Sequence, residues 1–140
     1  MSLVLAKEIL ESGGYTCVLT DGTSHYTSCQ RGVKPLVQFL EQGNTPERLF
    51  AADKVAGRAT AYLYVLLNIQ ALYAAVISEP AMAVLHAHGI SVTYGTLVPN
   101  IINRKGDGIC PFEEAVLGIK DPDTAYAAIL KKMDQLQIRL

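Results

Sequence analysis

Tryptophan is absent from the 140 residues, and neither sign of charge dominates: 12 Lys and Arg stand against 13 Asp and Glu, a formal net charge of −1. A nucleic-acid or membrane-surface protein would show a basic patch, and no Lys/Arg run interleaved with aromatics occurs. Neither kind of partner is expected. Cysteine is scarce and odd in number. Cys17, Cys29 and Cys110 are widely spaced, which reads as reduced thiols in a cytoplasmic protein rather than a disulfide framework. Long apolar runs are missing too, since the longest, from Ala59 to Val76, is broken by Asn68 and Gln70. A membrane span needs roughly 20 predominantly apolar residues. The opening Met1-Ser-Leu-Val-Leu-Ala-Lys-Glu has no cleavage-type apolar region and predicts an amphipathic helix, not a signal peptide. No internal repeat, Gly-rich phosphate motif, nucleophile elbow or paired-carboxylate signature is found. His86-x-His88 lacks the i, i+4 spacing that sets two metal ligands on one helical face, so no metal and no cofactor are expected.

What is present is core material. Half of the residues are apolar, enough in a chain of this length for one domain over residues 1–140. The organising stretch is Leu49 to Leu67: a short apolar strand, then Asp53 and Lys54, then an almost wholly apolar run. A helix apolar on every side is a buried one, so the sequence predicts a strand at 49–52 and a central helix from Lys54 to about Leu67. Asp53, Lys54, Gly57 and Arg58 then fall at the helix start. Unpaired N–H groups there favour an anion, the two cations add to the field, and Gly57 permits close approach. An N-cap Asp53 with solvated cations is the alternative.

Around this centre the pattern gives a helix at 2–12 stopped by Gly13-Gly14, then two Thr- and Tyr-rich strands at 15–20 and 23–28 joined at Asp21-Gly22, a hairpin signal. A second helix runs from 31 to 42, with Pro35 in its first turn. Ala71–Ile77 is a continuous apolar run of the kind found in central parallel strands. Ser78-Glu79-Pro80 caps a helix that stops at Gly89, and Ile90–Tyr94 is the last strand. A long loop over 98–110 leads to helices at 111–117 and 121–136. Right-handed crossovers make the later strands parallel, with the hairpin on one edge. The expected fold class is α/β, a three-layer α/β/α sandwich with a mixed sheet, in which ligands bind at the carboxyl ends of the strands.

The candidate ligand-binding residues at that end are Asp53, Lys54, Gly57, Arg58, Ser78, Glu79, Asn103, Arg104 and Cys110. Ser78 is also explained as a cap, and Glu79 is placed to hydrogen-bond an amine. Asn103 and Arg104 suit a planar or anionic ligand, or simply stabilise their own turn. Cys110 sits at a helix N-terminus, where the dipole lowers a thiol pKa, or forms a structural cap with Glu113 as capping-box partner.

The order hairpin, buried helix, strand, Ser-Glu-Pro helix, strand resembles the cytidine deaminase-like fold. In zinc deaminases the buried helix opens with His/Cys-x-Glu and the next with Pro-Cys-x-x-Cys. Here Asp53, Lys54 and Val55 stand at the first motif, and Ala81 and Val84 at the two thiolates. The resemblance therefore implies the scaffold without zinc chemistry. More closely, Asp53–Arg58, Ser78–Pro80, Val98–Arg104 and Cys110–Glu113 resemble an uncharacterised prokaryotic family, a domain of unknown function of the same fold, over about residues 15–117. Three readings follow. One is a zinc-free domain binding a small anionic or nucleotide-like ligand. Another is a metal-independent enzyme using Asp53, Glu79 or Cys110 as acid, base or nucleophile. The third is an interaction module, whose mouth its own side chains would fill. Apolar helices at both termini make a homodimer plausible.

Overall fold

The computed structural model describes residues 2–30, 32–43, 45–102 and 105–139. Its elements run α1 (Ser2–Gly13), β1 (Cys17–Thr20), β2 (His25–Ser28), α2 (Lys34–Gln42), β3 (Phe50–Ala56), α3 (Arg58–Leu66), β4 (Ala71–Ser78), α4 (Glu79–Ala87), β5 (Ser91–Val98), α5 (Pro111–Ala115) and α6 (Pro122–Gln135). One five-stranded sheet has the order β2-β1-β3-β4-β5. β1 is antiparallel to both its neighbours, whereas β3, β4 and β5 are parallel. The expected α/β class, mixed sheet and edge hairpin are observed. No helix among the described residues is long and apolar enough to cross a membrane.

The hairpin turn is set by Asp21, whose Oδ1 accepts the N–H groups of Thr23 at 2.8 Å and Ser24 at 2.7 Å. Gly22 there takes a φ of 98°, a conformation that side chains disfavour.

Alternation along the strands sends neighbouring residues to opposite faces. Val18, Ala52 and Tyr73 meet Ala6 and Leu10 of α1 on one face. Leu19, Ala51 and Leu72 enter the larger core on the other, with Val33, Leu36 and Val37 before and within α2, Leu63 and Tyr64 of α3, Leu85 of α4 and Ile129 of α6. In α3 every residue from Ala59 to Tyr64 is buried, as a helix without a polar stripe must be.

Two boundaries differ from those read in the sequence. β3 does not stop at Ala52: Asp53 pairs with both Cys17 and Ala74, Val55 with Val76 and Ala56 with Ile77. Asp53 and Lys54 are therefore strand residues, and α3 begins only at Arg58 with Gly57 as its N-cap. β5 likewise continues past Tyr94 to Val98, alongside Val76, Ile77 and Ser78. The reason is common to both. β4 extends over eight residues, and its neighbours gain ladder hydrogen bonds by matching that length, which outweighs the local tendency of Asp53 to cap and of Gly95 to turn.

Candidate functional site

Past the end of β3 the chain turns at Gly57, whose N–H donates to the Thr60 hydroxyl at 3.0 Å while that hydroxyl donates back to Gly57 C=O at 2.9 Å. The next N–H groups, those of Arg58 and Ala59, face an anion. It is the protein's own. Glu113 reaches across from α5 and accepts from Arg58 N–H at 2.6 Å through Oε1 and from Ala59 N–H at 2.8 Å through Oε2. Gly57 makes room for it, since a Cβ there would lie 2.7 Å from the Glu113 carboxyl atoms. Burial raises the Glu113 pKa above its ordinary value, while the two N–H groups and the Arg58 charge pull the other way.

Arg58 does not point into open solvent. Its Nη2 donates to Ile119 C=O at 2.7 Å and lies 3.4 Å from the Tyr62 hydroxyl, which itself donates to the same carbonyl. The guanidinium also stands 5.8 Å from the Tyr62 ring centroid. Its Nε is buried without an acceptor among the described residues. Such an orphaned donor costs about 1–3 kcal/mol.

Asp53 lies deeper. Its Oδ2 accepts the Tyr64 hydroxyl at 2.6 Å and its Oδ1 the Val55 N–H at 3.2 Å. The Tyr64 hydroxyl is in turn 3.6 Å from the Cys17 thiol. All three side chains are buried. Burial pushes the Asp53 carboxyl from 3.8 up to about 7, against the lowering effect of Tyr64 and the Val55 and Lys54 N–H groups. Burial, and then the neighbouring Asp53, raise Cys17 and Tyr64 well above their ordinary values.

The nine sequence candidates therefore separate. Gly57 and Arg58 meet at the α3 start with Glu113. Asp53 does not join them. It pairs with Ala74, four residues before Ser78 along β4, or about 13 Å at strand rise. Lys54 is exposed on the neighbouring position of β3. Ser78 is fully buried and caps α4, accepting Ala81 N–H at 3.2 Å. Glu79 is exposed beside it. Cys110 is half-buried at the N-cap of α5 and makes no side-chain cap bond. The expected capping box with Glu113 does not form, because Glu113 serves α3 instead. Asn103 and Arg104 lie outside the described residues.

Ala81 and Val84 are buried in the main core. Among the described residues no three His, Cys, Asp or Glu side chains converge to hold a metal ion. Two surface depressions among the described residues lie elsewhere. One, of about 270 Å³, is lined by Val65, Asn68, Gln70, His88 and Gly89 at the opposite end of the parallel strands, and the other, of about 400 Å³, lies between Tyr26 and α2. The sequence reading missed Tyr64 and Cys17 as partners of Asp53. It also missed Tyr62 as partner of Arg58. The only available signal was a pair of tyrosines two apart in an otherwise aliphatic helix, which reads equally well as packing.

Comparison with known proteins agrees with this architecture. The family described as "TM1506: Domain of unknown function (DUF1893)" matches residues 5–133. The chain belongs to the DUF1893 family. The match reaches well into α1 and α6, both of which the resemblance read in the sequence leaves outside. A crystal structure of a DUF1893 family protein, TM1506 from Thermotoga maritima, superposes with a TM-score of 0.86 at 29% identity, covering 94% of this chain and 90% of that one. No curated protein matches.

Proposed function

We propose that this DUF1893 domain is a zinc-free, cytidine deaminase-like scaffold that binds a small nucleobase-like ligand at the strand-end edge of its sheet. The observation that carries this reading is the Glu113 carboxylate. It is buried and held in place by two backbone N–H groups, beside a glycine that leaves it room. Each carboxylate oxygen has two acceptor sites, so two N–H bonds leave about half of its capacity unspent. A preorganised acceptor at the carboxyl edge of parallel strands is suited to a ligand's amino or amide N–H group. The strand order β2-β1-β3-β4-β5 and the central buried α3 support the deaminase-like assignment.

The anionic part of the expected ligand moves away from the α3 start, because Glu113 already occupies that positive end. Arg58 is committed to Ile119 and Tyr62, while Glu79, at the end of β4, is exposed and remains available at the rim.

Thermal shift and native mass spectrometry with free nucleobases and nucleosides test this. A nucleobase-type ligand is expected to stabilise the wild type and to lose roughly tenfold or more in affinity in Glu113→Gln, which keeps one carbonyl acceptor for α3. No binding by any nucleobase or nucleoside, or equal binding by Glu113→Gln, would overturn it.

A second reading, metal-independent acid–base catalysis, is favoured by the buried Asp53–Tyr64 pair, in which the carboxyl accepts the phenol at 2.6 Å and burial pushes its pKa up to about 7. Chemical change in a bound ligand that ceases in Asp53→Asn would select this reading.

A further inference from the structure

The two edges of the sheet are built differently. β2 is four residues long, and its Tyr26 stacks at 5.2 Å against Phe39 at a tilt of 60°. β5 is eight residues long, Ser-Val-Thr-Tyr-Gly-Thr-Leu-Val, and its outer side carries no strand among the described residues. Five consecutive residues, Thr93 to Leu97, are exposed. Tyr94 is 45% and Leu97 41% accessible. Soluble proteins blunt such an edge with charge, with proline, by shortening it or by covering it. β2 uses shortness. β5 uses none of these devices: it holds no charged residue and no proline, and nothing among the described residues covers its middle.

We infer that β5 is the edge through which two copies of this chain pair, antiparallel and about a two-fold axis, so that one sheet runs through both. Several features select a second copy over another partner. An uncharged strand meets its own copy in any register without like charges facing each other. The copy supplies a strand of identical length, so all but one end residue of the eight find a partner and about seven main-chain hydrogen bonds form. The assembly also closes at two, because the remaining edge of each copy is the short β2.

The symmetry constrains the register. A two-fold axis perpendicular to a sheet keeps each side chain on its own face, so residues opposed across it differ by an even number. The strand must therefore pair about a residue, and the central ones are Tyr94 and Gly95. Centring on Gly95 sets Tyr94 against Thr96 of the second copy; centring on Tyr94 sets the two tyrosines together. Both registers cover Tyr94 and Leu97. The inference is independent of the ligand reading, which concerns the ends of the strands.

Sedimentation equilibrium tests it, with a charge-reversal pair. The wild type is expected at twice the chain mass of 15.1 kDa. The double variants Tyr94→Lys/Thr96→Lys and Tyr94→Glu/Thr96→Glu place like charges opposite each other in either register. Each alone is expected at half the wild-type mass, with unchanged circular dichroism because both positions are exposed. Mixed one to one, they are expected to recover the dimer as a heterodimer. A wild type that stays monomeric at high micromolar concentration overturns the proposal. So does a dimer that survives in the separate charged variants, since it would then use another face. Should a charged variant fail to fold, amide exchange on the wild type decides: protection of residues 91–98 must rise with protein concentration, and protection independent of concentration overturns the pairing.

Discussion

Asp53 and Glu113 are both acids in apolar surroundings, yet different partners hold them. Glu113 takes two backbone N–H groups at a helix start, whereas Asp53 takes a phenol and a strand N–H. A carboxyl whose folded pKa exceeds its unfolded value binds its proton more tightly when folded. Its contribution to stability is then complete below the unfolded pKa and is lost as pH rises through the folded one. For Asp53 that window runs from about 3.8 to about 7 and spans up to about 4 kcal/mol, and Glu113 shifts in the same sense. Urea unfolding followed from pH 4.5 to 8 is expected to show stability falling with pH, and Asp53→Asn is expected to flatten most of the slope. Gly57 gives a steric test at the same scale. Its φ of −105° suits alanine, so Gly57→Ala introduces only the Cβ contact with the Glu113 carboxyl. A loss of about 2 kcal/mol in urea unfolding is expected. The loss should shrink in a Glu113→Ala background, because both changes remove the same two hydrogen bonds. Asp53 was visible in the sequence as an acid between a strand and an apolar helix. Glu113 was visible only as a local cap, because its true partners stand 54 and 55 residues away, beyond the reach of any spacing rule.

Single elements were legible where their local signals and their packing agreed. Asp121 accepts Thr124 N–H at 2.9 Å and starts α6 where the sequence places it, and Ser78 caps α4 as expected. The ends of β3 and β5 were not legible, because the length of a strand belongs to its ladder and not to its own residues. Gly95 illustrates this. Read alone it is a turn residue, but in the sheet it lets β5 approach β4 until the position of a Cβ would be 2.8 Å from Ala75 O. The obstacle is main chain, which cannot swing aside as a side chain can. Gly95→Ala is therefore expected to lower stability by about 1–3 kcal/mol, read as a lower urea midpoint at constant slope. The conservative Thr93→Ser at an exposed β5 position should change stability by no more than about 0.5 kcal/mol.

At the scale of the whole molecule, the right-handed crossover rule and the Asp-Gly hairpin were enough to place three parallel strands beside an antiparallel pair. The site was less legible than the sheet. Sequence reasoning gathered residues by the strand ends they flank, but β3 runs four residues further than expected and leaves Asp53 below the edge. The sequence suggested an anionic ligand at a helix start placed at Lys54; α3 starts at Arg58 instead, and the carboxylate at its head is the chain's own Glu113. That bond also sets a timetable for synthesis. Arg58 leaves the ribosome 55 residues ahead of Glu113, about 3–10 s at ordinary elongation rates. During that interval the central helix has neither the carboxylate at its head nor Ile129 and Met133 of α6 in the core around it. The core around α3 therefore closes only once α6 has followed α5 out, and α6 is the clasp that shuts it.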